Sequence, residues 1–216
     1  MSVRTHEVHA AVVHAPLTLL PLAALIDVGA AARPHRTSLQ SMGRKMWVAA
    51  TAGAAFAGVA GLAASQEVYY RERTARDMTF VHGLGNTLLL AATFAMGAWR
   101  RHHPATARSA GLGLLITTAS WYTAYLGGEM VYHHRVGVEG MDRPESLRRS
   151  PSLLSAEAPL KMARDVVQGL KWLVARTAAL RHEPVSAASM GVDRELPPPV
   201  PPRSAQELED QLAWRG

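Results

Sequence analysis

Four long stretches with almost no charged side chains restrict this chain more than any other feature of its sequence. Each is close to the roughly 20 residues that an α-helix needs to cross about 30 Å of hydrocarbon. They cover residues 11–32, 46–64, 78–99 and 109–132. Their only charged residues are Asp27 and Glu129, each near the end of its stretch. Because a soluble bundle carries charges on its outer helix faces, this pattern predicts membrane-spanning helices.

Composition changes sharply after the fourth stretch. A hydrophobic content of 48% would suit a soluble domain, but this figure averages an apolar first part with a polar, proline-rich last part. Short connections between spanning helices favour antiparallel neighbours. The sequence therefore predicts an all-α integral membrane protein, with an antiparallel four-helix bundle over residues 1–138 and a polar C-terminal tail over residues 139–216.

The tail contains one amphipathic pattern, which predicts a helix over residues 155–180 with Ser155 as its cap. The helix carries an apolar stripe of Leu160, Val166, Val167, Leu170, Leu173, Val174 and Leu180. Basic residues lie around it, at Lys161, Arg164, Lys171, Arg176 and Arg181. A basic amphipathic helix suits the membrane surface, and equally a helix docked on its own bundle or on a partner subunit. The prolines at 197–202 predict an extended linker.

Charge and cysteine content narrow the possible functions. The chain has no cysteine, which excludes disulfides, covalently attached c-type haem and iron-sulfur clusters held by this chain alone. Its net charge of +6 is explained by lipid and topology, so the lipid bilayer is the expected partner and nucleic acid is not. No nucleophile motif or phosphate-binding loop is present, which disfavours hydrolytic enzymes and leaves open whether the protein is an enzyme.

Orientation in the membrane receives conflicting signals. The loops after the first and third helices carry only basic charges, at Arg33, Arg36, Arg44, Lys45, Arg100, Arg101 and Arg108. By the positive-inside rule these loops lie in the cytoplasm and both termini lie outside it. The basic tail favours the opposite orientation.

Polar side chains within the apolar stretches collect at one end of the predicted bundle. His14 and His82 lie about one turn into the first and third helices, which run in the same direction, so the two imidazoles share one level. Asn86 lies one turn from His82, and the end of the fourth helix returns Glu129 and His133 to this level. Polar groups in lipid are costly, so these five residues form the candidate cofactor site, with His14 and His82 as the metal ligands.

Other polar and small residues have simpler interpretations. Tyr69, Tyr70 and Tyr132 suit an interfacial aromatic belt. Most remaining histidines, including His9, are expected to be solvated or at the level of the lipid headgroups. The spacing of Gly53, Ala57 and Gly61 predicts close packing between helices.

At these residues the chain resembles the uncharacterised bacterial membrane proteins grouped as domain of unknown function 2231. The shared pattern is an early His before a proline-containing helix that ends near an Asp, a His opening the third helix, and a Gly-Gly-x-x-Val-Tyr signature. In this chain it corresponds to His14, Pro16, Pro21, Asp27, His82, Asn86, Gly127, Gly128, Val131 and Tyr132, followed by Arg135, Val136, Gly137 and Val138. The resemblance covers residues 13–138. The second helix departs from the pattern, with Glu67 at the acidic position, and the tail has no counterpart.

The resemblance implies a bacterial inner-membrane, multi-pass protein without an established activity. Some members of that family are joined to a Rieske-type iron-sulfur domain, which suggests electron transfer, but this chain has no such domain. Three functions remain open. The protein binds haem b between His14 and His82 and exchanges electrons with quinol or a partner redox protein; or it binds or transports a Zn, Cu or Fe ion through His14, His82, Glu129 and His133; or it is an accessory structural subunit of a larger membrane complex.

Overall fold

The regular elements are all helices within the part of the chain that the computed structural model describes, residues 4–68, 70, 72–137 and 152–191. The described residues form six α-helices and one 3₁₀ helix, in chain order α1 Thr5–Val12, α2 His14–Ala32, α3 Thr37–Ala64, α4 Arg73–His102, α5 Ala107–Tyr132, α6 Ala158–Ala179 and the 3₁₀ helix Ala188–Met190. The chain is therefore all-α over these residues. The expected linker at 197–202 and Tyr69 lie outside them.

Within the described part of the chain, three segments are long and apolar enough to cross a membrane: Thr5–Ala32, which joins α1 and α2, then α3 and α4. The fourth expected span, α5, is not among them. Near its middle, the hydroxyls of Thr117, Thr118 and Ser120 each donate a hydrogen bond to a backbone carbonyl of α5 itself, at 2.7 to 3.0 Å. These bonds satisfy the polar groups without water. Because α5 is not among the candidate spans, a fourth membrane span stays a prediction.

The first span is interrupted at Val13, between α1 and α2. Pro16 explains the position, because a proline has no N–H to donate to the carbonyl four residues earlier and its ring crowds that carbonyl. The carbonyl in question belongs to Val12, the last residue of α1. Pro21 lies inside the continuous helix α2. Helix α1 packs along α3, as α2 does.

The four long helices pack as neighbours in a closed order: α2 contacts α3 and α5, and α4 also contacts α3 and α5. Trp47 of α3 is fully buried at the centre of their core, against Leu20 and Ile116. A Cβ atom on Gly113 of α5 would lie 3.0 Å from the Trp47 ring. The core thus combines one large aromatic side chain with small neighbours that leave room for it.

Large apolar side chains cover the outer surface of these helices. Leu25, Phe56, Leu88, Phe94 and Leu115 are all exposed. Exposed apolar side chains on several sides of a helix bundle suit lipid rather than water.

The amphipathic segment of the tail forms α6, which packs on α3 and α4. The helix begins at Ala158 with Glu157 at its N-cap position, so the expected cap at Ser155 is wrong. Its backbone lies very close to α3, because a Cβ atom on Gly169 would be 2.4 Å from the carbonyl oxygen of Leu62. The sequence left open whether this segment lies on the membrane surface or docks on protein. Its inner face docks on the other helices of its own chain.

Candidate functional site: a histidine pair between helices

Two histidines from different helices face each other within the bundle. The ring centroids of His9, in α1, and His82, in α4, are 6.4 Å apart, and the two ring planes are perpendicular. Glycines provide the room for both rings. A Cβ atom would lie 2.9 Å from the His9 ring if added to Gly61 of α3, and 3.3 Å from the His82 ring if added to Gly127 of α5.

Each imidazole is held by a backbone carbonyl of a neighbouring helix. Nδ1 of His9 lies 3.1 Å from the carbonyl oxygen of Ala57, and Nδ1 of His82 lies 2.7 Å from that of Thr123. Since a carbonyl oxygen only accepts hydrogen bonds, Nδ1 carries the proton in both rings. In the neutral form of each ring, Nε2 is then the unprotonated nitrogen that can bind a metal.

The two Nε2 atoms differ in their surroundings. Nε2 of His82 accepts a hydrogen bond from the side-chain amide of Asn86 at 3.1 Å. The other end of this amide accepts a bond from the Thr123 hydroxyl at 3.0 Å, so Asn86 connects α4 to α5. Nε2 of His9 has no hydrogen-bond partner among the described residues.

The sequence-predicted site residues do not all meet. Asn86 contacts His82, as its position one turn away implied. His14 is exposed, with Nδ1 3.1 Å from the carbonyl oxygen of Ala11, and the ring against His82 is that of His9 instead. Nε2 of His133 lies 3.5 Å from the Glu129 carboxylate at the end of α5, where the His133 side chain is 41% exposed. No group of three or more histidine or acidic side chains suitable for a metal ion occurs in the described ranges.

His9 was expected in solvent or at the level of the lipid headgroups, and the structure shows its ring packed between helices rather than solvated. Its ring lies between α1, α3 and α4, because the first helix begins at Thr5, well before the apolar stretch from which the span was predicted. One sequence signal was available: Gly53, Ala57 and Gly61 form the small surface on which this part of the chain packs. Gly53 lies against Pro16, and Ala57 and Gly61 lie against His9.

Glu67 organises the chain just beyond the end of α3. Its carboxylate is buried and accepts hydrogen bonds from the backbone N–H of Thr5 at 2.8 Å, from the Thr5 hydroxyl at 3.0 Å and from the ammonium of Lys161 at 2.8 Å. Nδ1 of His6 is 3.4 Å away. Burial opposes ionisation of this carboxyl, but the bonds from His6, Lys161 and Thr5 outweigh it and lower its pKa from 4.5 to about 2. The charged carboxylate of Glu67 thus holds the N-terminus of α1 and the start of α6 next to the end of α3.

A second polar cluster lies at the opposite end of the bundle. Arg100 donates two hydrogen bonds to Asp27, at 2.8 and 2.9 Å, and the Trp47 indole N–H donates to the same carboxylate at 2.8 Å. Gln40 accepts a bond from Arg100 at 3.2 Å and one from the backbone N–H of Ala105 at 2.8 Å. The placement of Arg100 in a loop is therefore wrong. Helix α4 continues to His102, and the guanidinium is fully buried.

An open cleft of about 350 Å³ lies near the N-terminus of α4, lined by Tyr70, Glu72, Arg73, Arg76 and Glu183. Its arginines are already paired, both with Asp77 and Arg76 also with Glu183. Burial raises the pKa of Tyr70 to about 12, so this hydroxyl stays protonated at neutral pH.

Apolar helices of spanning length, with paired polar groups at both ends of their packed core, define a helical membrane protein. A family model described as "Predicted membrane protein (DUF2231)" matches residues 5–140, and the chain belongs to this family. This match confirms the resemblance drawn from the sequence. No curated protein matches the chain, and no solved structure does.

Proposed function

We propose that this protein crosses the bacterial inner membrane with four antiparallel helices and binds haem b between His9 and His82, for electron transfer with quinol or a partner redox protein. One observation carries the proposal. Two imidazoles from separate helices lie 6.4 Å apart, and each has its Nδ1 on a backbone carbonyl. A metal-binding histidine commonly has its second nitrogen held in this way.

The number of available ligands favours haem over a bare metal ion. Structural zinc sites use four protein ligands and catalytic ones use three. Haem iron needs only axial ligands from the protein. The pair supplies two imidazoles, and the described residues bring no third histidine or acidic side chain into a metal-binding group. Haem, when bound, would supply one-electron chemistry, and Asn86 would have to release Nε2 of His82.

Contacts at the Asp27 end support the antiparallel arrangement. Gln40, near the start of α3, donates a hydrogen bond to the carbonyl oxygen of Ala30, near the end of α2, at 3.1 Å. Arg100, near the end of α4, reaches Asp27 of α2. Since α5 packs between α2 and α4, a fourth span completes the bundle and leaves both termini on one side. Reporter fusions at the two termini test this, and opposite locations for the two ends would contradict it.

Optical spectra test the cofactor. The full chain is purified from cells grown with ample haem, and oxidised and reduced spectra are recorded for the wild type, His9→Ala, His82→Ala and His14→Ala. We expect a Soret band that the first two substitutions weaken severalfold. His14→Ala is the matched control because this exposed ring lies away from the pair, so its spectrum should equal that of the wild type.

Two results would contradict the proposal. A colourless wild type with unchanged stability in both variants excludes a cofactor, and loss of the band in His14→Ala alone returns the site to the residues predicted from sequence. Added imidazole separates ligation from folding. It should restore the band in His9→Ala if this ring is an axial ligand, and should have no effect if the ring only fills space.

A further inference from the structure

The inner face of α6 is fastened to the bundle at both of its ends. Lys161, in its first turn, bonds to Glu67 at 2.8 Å, and Arg176, in its last turn, lies 3.2 Å from Asp77 of α4. Between them, Gly169 brings the helix backbone against α3. Trp172 and Phe80 of α4 meet edge to face with centroids 6.3 Å apart. The helix therefore has one fixed orientation on α3 and α4.

This orientation turns an apolar strip outward. Leu160, Val167, Leu170 and Val174 are exposed by 60%, 51%, 49% and 62%, and share one side of α6. Arg164 and Lys171 are also exposed and lie along the edge of this strip. A helix docked on a soluble protein would carry polar groups on its outer face. An apolar strip with a basic edge instead fits the boundary between acyl chains and lipid headgroups.

The level of α6 along the bundle agrees with that boundary. Leu173 of α6 lies against Gly83 of α4. From Gly83 to the last residue of α4 is roughly 20 residues, or about 30 Å of helix, which equals the thickness of the hydrocarbon layer. If one surface of the hydrocarbon layer lies at the basic end of α4, the other surface lies near Gly83, where α6 packs on α4.

Aromatic residues of α5 mark the same level. Trp121, Tyr122 and Tyr125 are all exposed, and exposed tryptophan and tyrosine concentrate at membrane interfaces. The chain that follows α6 contacts the two tyrosines. The Tyr122 hydroxyl donates a hydrogen bond to the carbonyl oxygen of Met190 at 2.8 Å, and Gly191 lies beside Tyr125.

From these observations we infer that α6 is an interfacial lipid-binding helix. Its outer strip enters the acyl boundary of one leaflet, and Arg164 and Lys171 lie at the headgroups of anionic lipids. The inference concerns a surface separate from the histidine pair and does not depend on haem binding.

The absence of cysteine from the chain allows a direct test. Single cysteines replace Val167, Val174 or Gln168 in the full chain, which is spin-labelled and placed in lipid nanodiscs containing phosphatidylglycerol. Gln168 is the matched control, because it is exposed beside the basic edge and away from the apolar strip. At Val167 and Val174 we expect the ratio of oxygen to nickel-chelate accessibility to exceed that at Gln168 severalfold.

Charge is tested separately from burial. In nanodiscs of phosphatidylcholine alone, or in the double variant Arg164→Gln, Lys171→Gln, the label at Val167 should become measurably more accessible to the nickel chelate. Equal accessibility at all three positions would overturn the inference, because the strip would then face water. Low accessibility to both reagents together with crosslinks between chains would also overturn it, since a second copy would then cover the strip.

Discussion

The guanidinium of Arg100 and the carboxylate of Asp27 form a two-pronged ion pair, although 73 residues separate them and both are fully buried. Trp47 donates a third hydrogen bond to the same carboxylate. The pair therefore joins α2, α3 and α4 at the end of the bundle opposite the histidines. Its energetic role follows from burial, since a buried charge depends on its partner far more than an exposed one does.

Removing one member of this pair should destabilise the protein more than removing both. Arg100→Met leaves a buried carboxylate without its partner, which typically costs about 3–5 kcal/mol. The double variant Asp27→Leu, Arg100→Met should recover much of this loss, because no charge remains buried. Thermal unfolding in detergent measures both, with the exposed Arg101→Met as the control. Additive losses in the double variant would show that the ion pair does not act as a unit.

Gly43 should tolerate no side chain. A Cβ atom there would lie 2.3 Å from Oδ1 of Asp27 and 3.1 Å from Nη2 of Arg100, so Gly43→Ala must separate the ion pair. We expect a clear fall in melting temperature. Gly111→Ala is the matched control, because a Cβ atom on that helical glycine meets nothing within 4 Å. Equal melting temperatures for the two variants would contradict this packing.

The histidine pair should depend on Gly61. Gly61→Ala would place a Cβ atom 2.9 Å from Cε1 of His9 and so displace the ring from His82. If the pair binds haem, the Soret band should weaken while the helical content stays unchanged. Gly58→Ala, in the same helix, is the control, because its nearest neighbour would be Leu90 at 3.9 Å. A band that Gly61→Ala leaves intact would show that the position of His9 is unimportant.

Acid should weaken the attachment of α1 and α6 through Glu67. Its folded pKa of about 2 lies below the ordinary value of 4.5, so its ion pair stabilises the fold above pH 4.5 and is lost as the pH falls from 4.5 towards 2. The melting temperature of the wild type should therefore fall over this window, and that of Glu67→Gln should fall less. Glu157→Gln, at an exposed carboxyl, should retain the wild-type slope. Parallel slopes in all three proteins would contradict the low pKa.

The docking of α6 should depend on Gly169. A Cβ atom there would lie 2.4 Å from the backbone oxygen of Leu62, and a backbone atom cannot move aside as a side chain can. Gly169→Ala should release α6 and speed its cleavage by trypsin severalfold, whereas the neighbouring exposed variant Gln168→Ala should not. Unchanged cleavage in Gly169→Ala would show that the contact is not needed for docking.

The sequence alone determined the class of protein. Charge is costly in hydrocarbon wherever it occurs along a helix, so uncharged stretches such as 46–64 and 78–99 predicted apolar spans without any knowledge of packing. The family resemblance depended on local patterns in the same way. The amphipathic pattern of 155–180 likewise predicted the helix, because periodicity is a local property. It left undecided which side of the helix would face the bundle.

Only the tertiary structure decided which polar groups meet. Depth along the helices put His14 level with His82, but depth says nothing about the direction in which a ring points. The ring against His82 is that of His9, in the part of the first helix that precedes the predicted apolar stretch. Arg100 followed the last apolar residue of its stretch and resembled a loop residue until Asp27, 73 positions earlier, supplied its partner. In both cases the outcome depends on helix rotation and contact between distant residues, whose energies arise only when the helices pack.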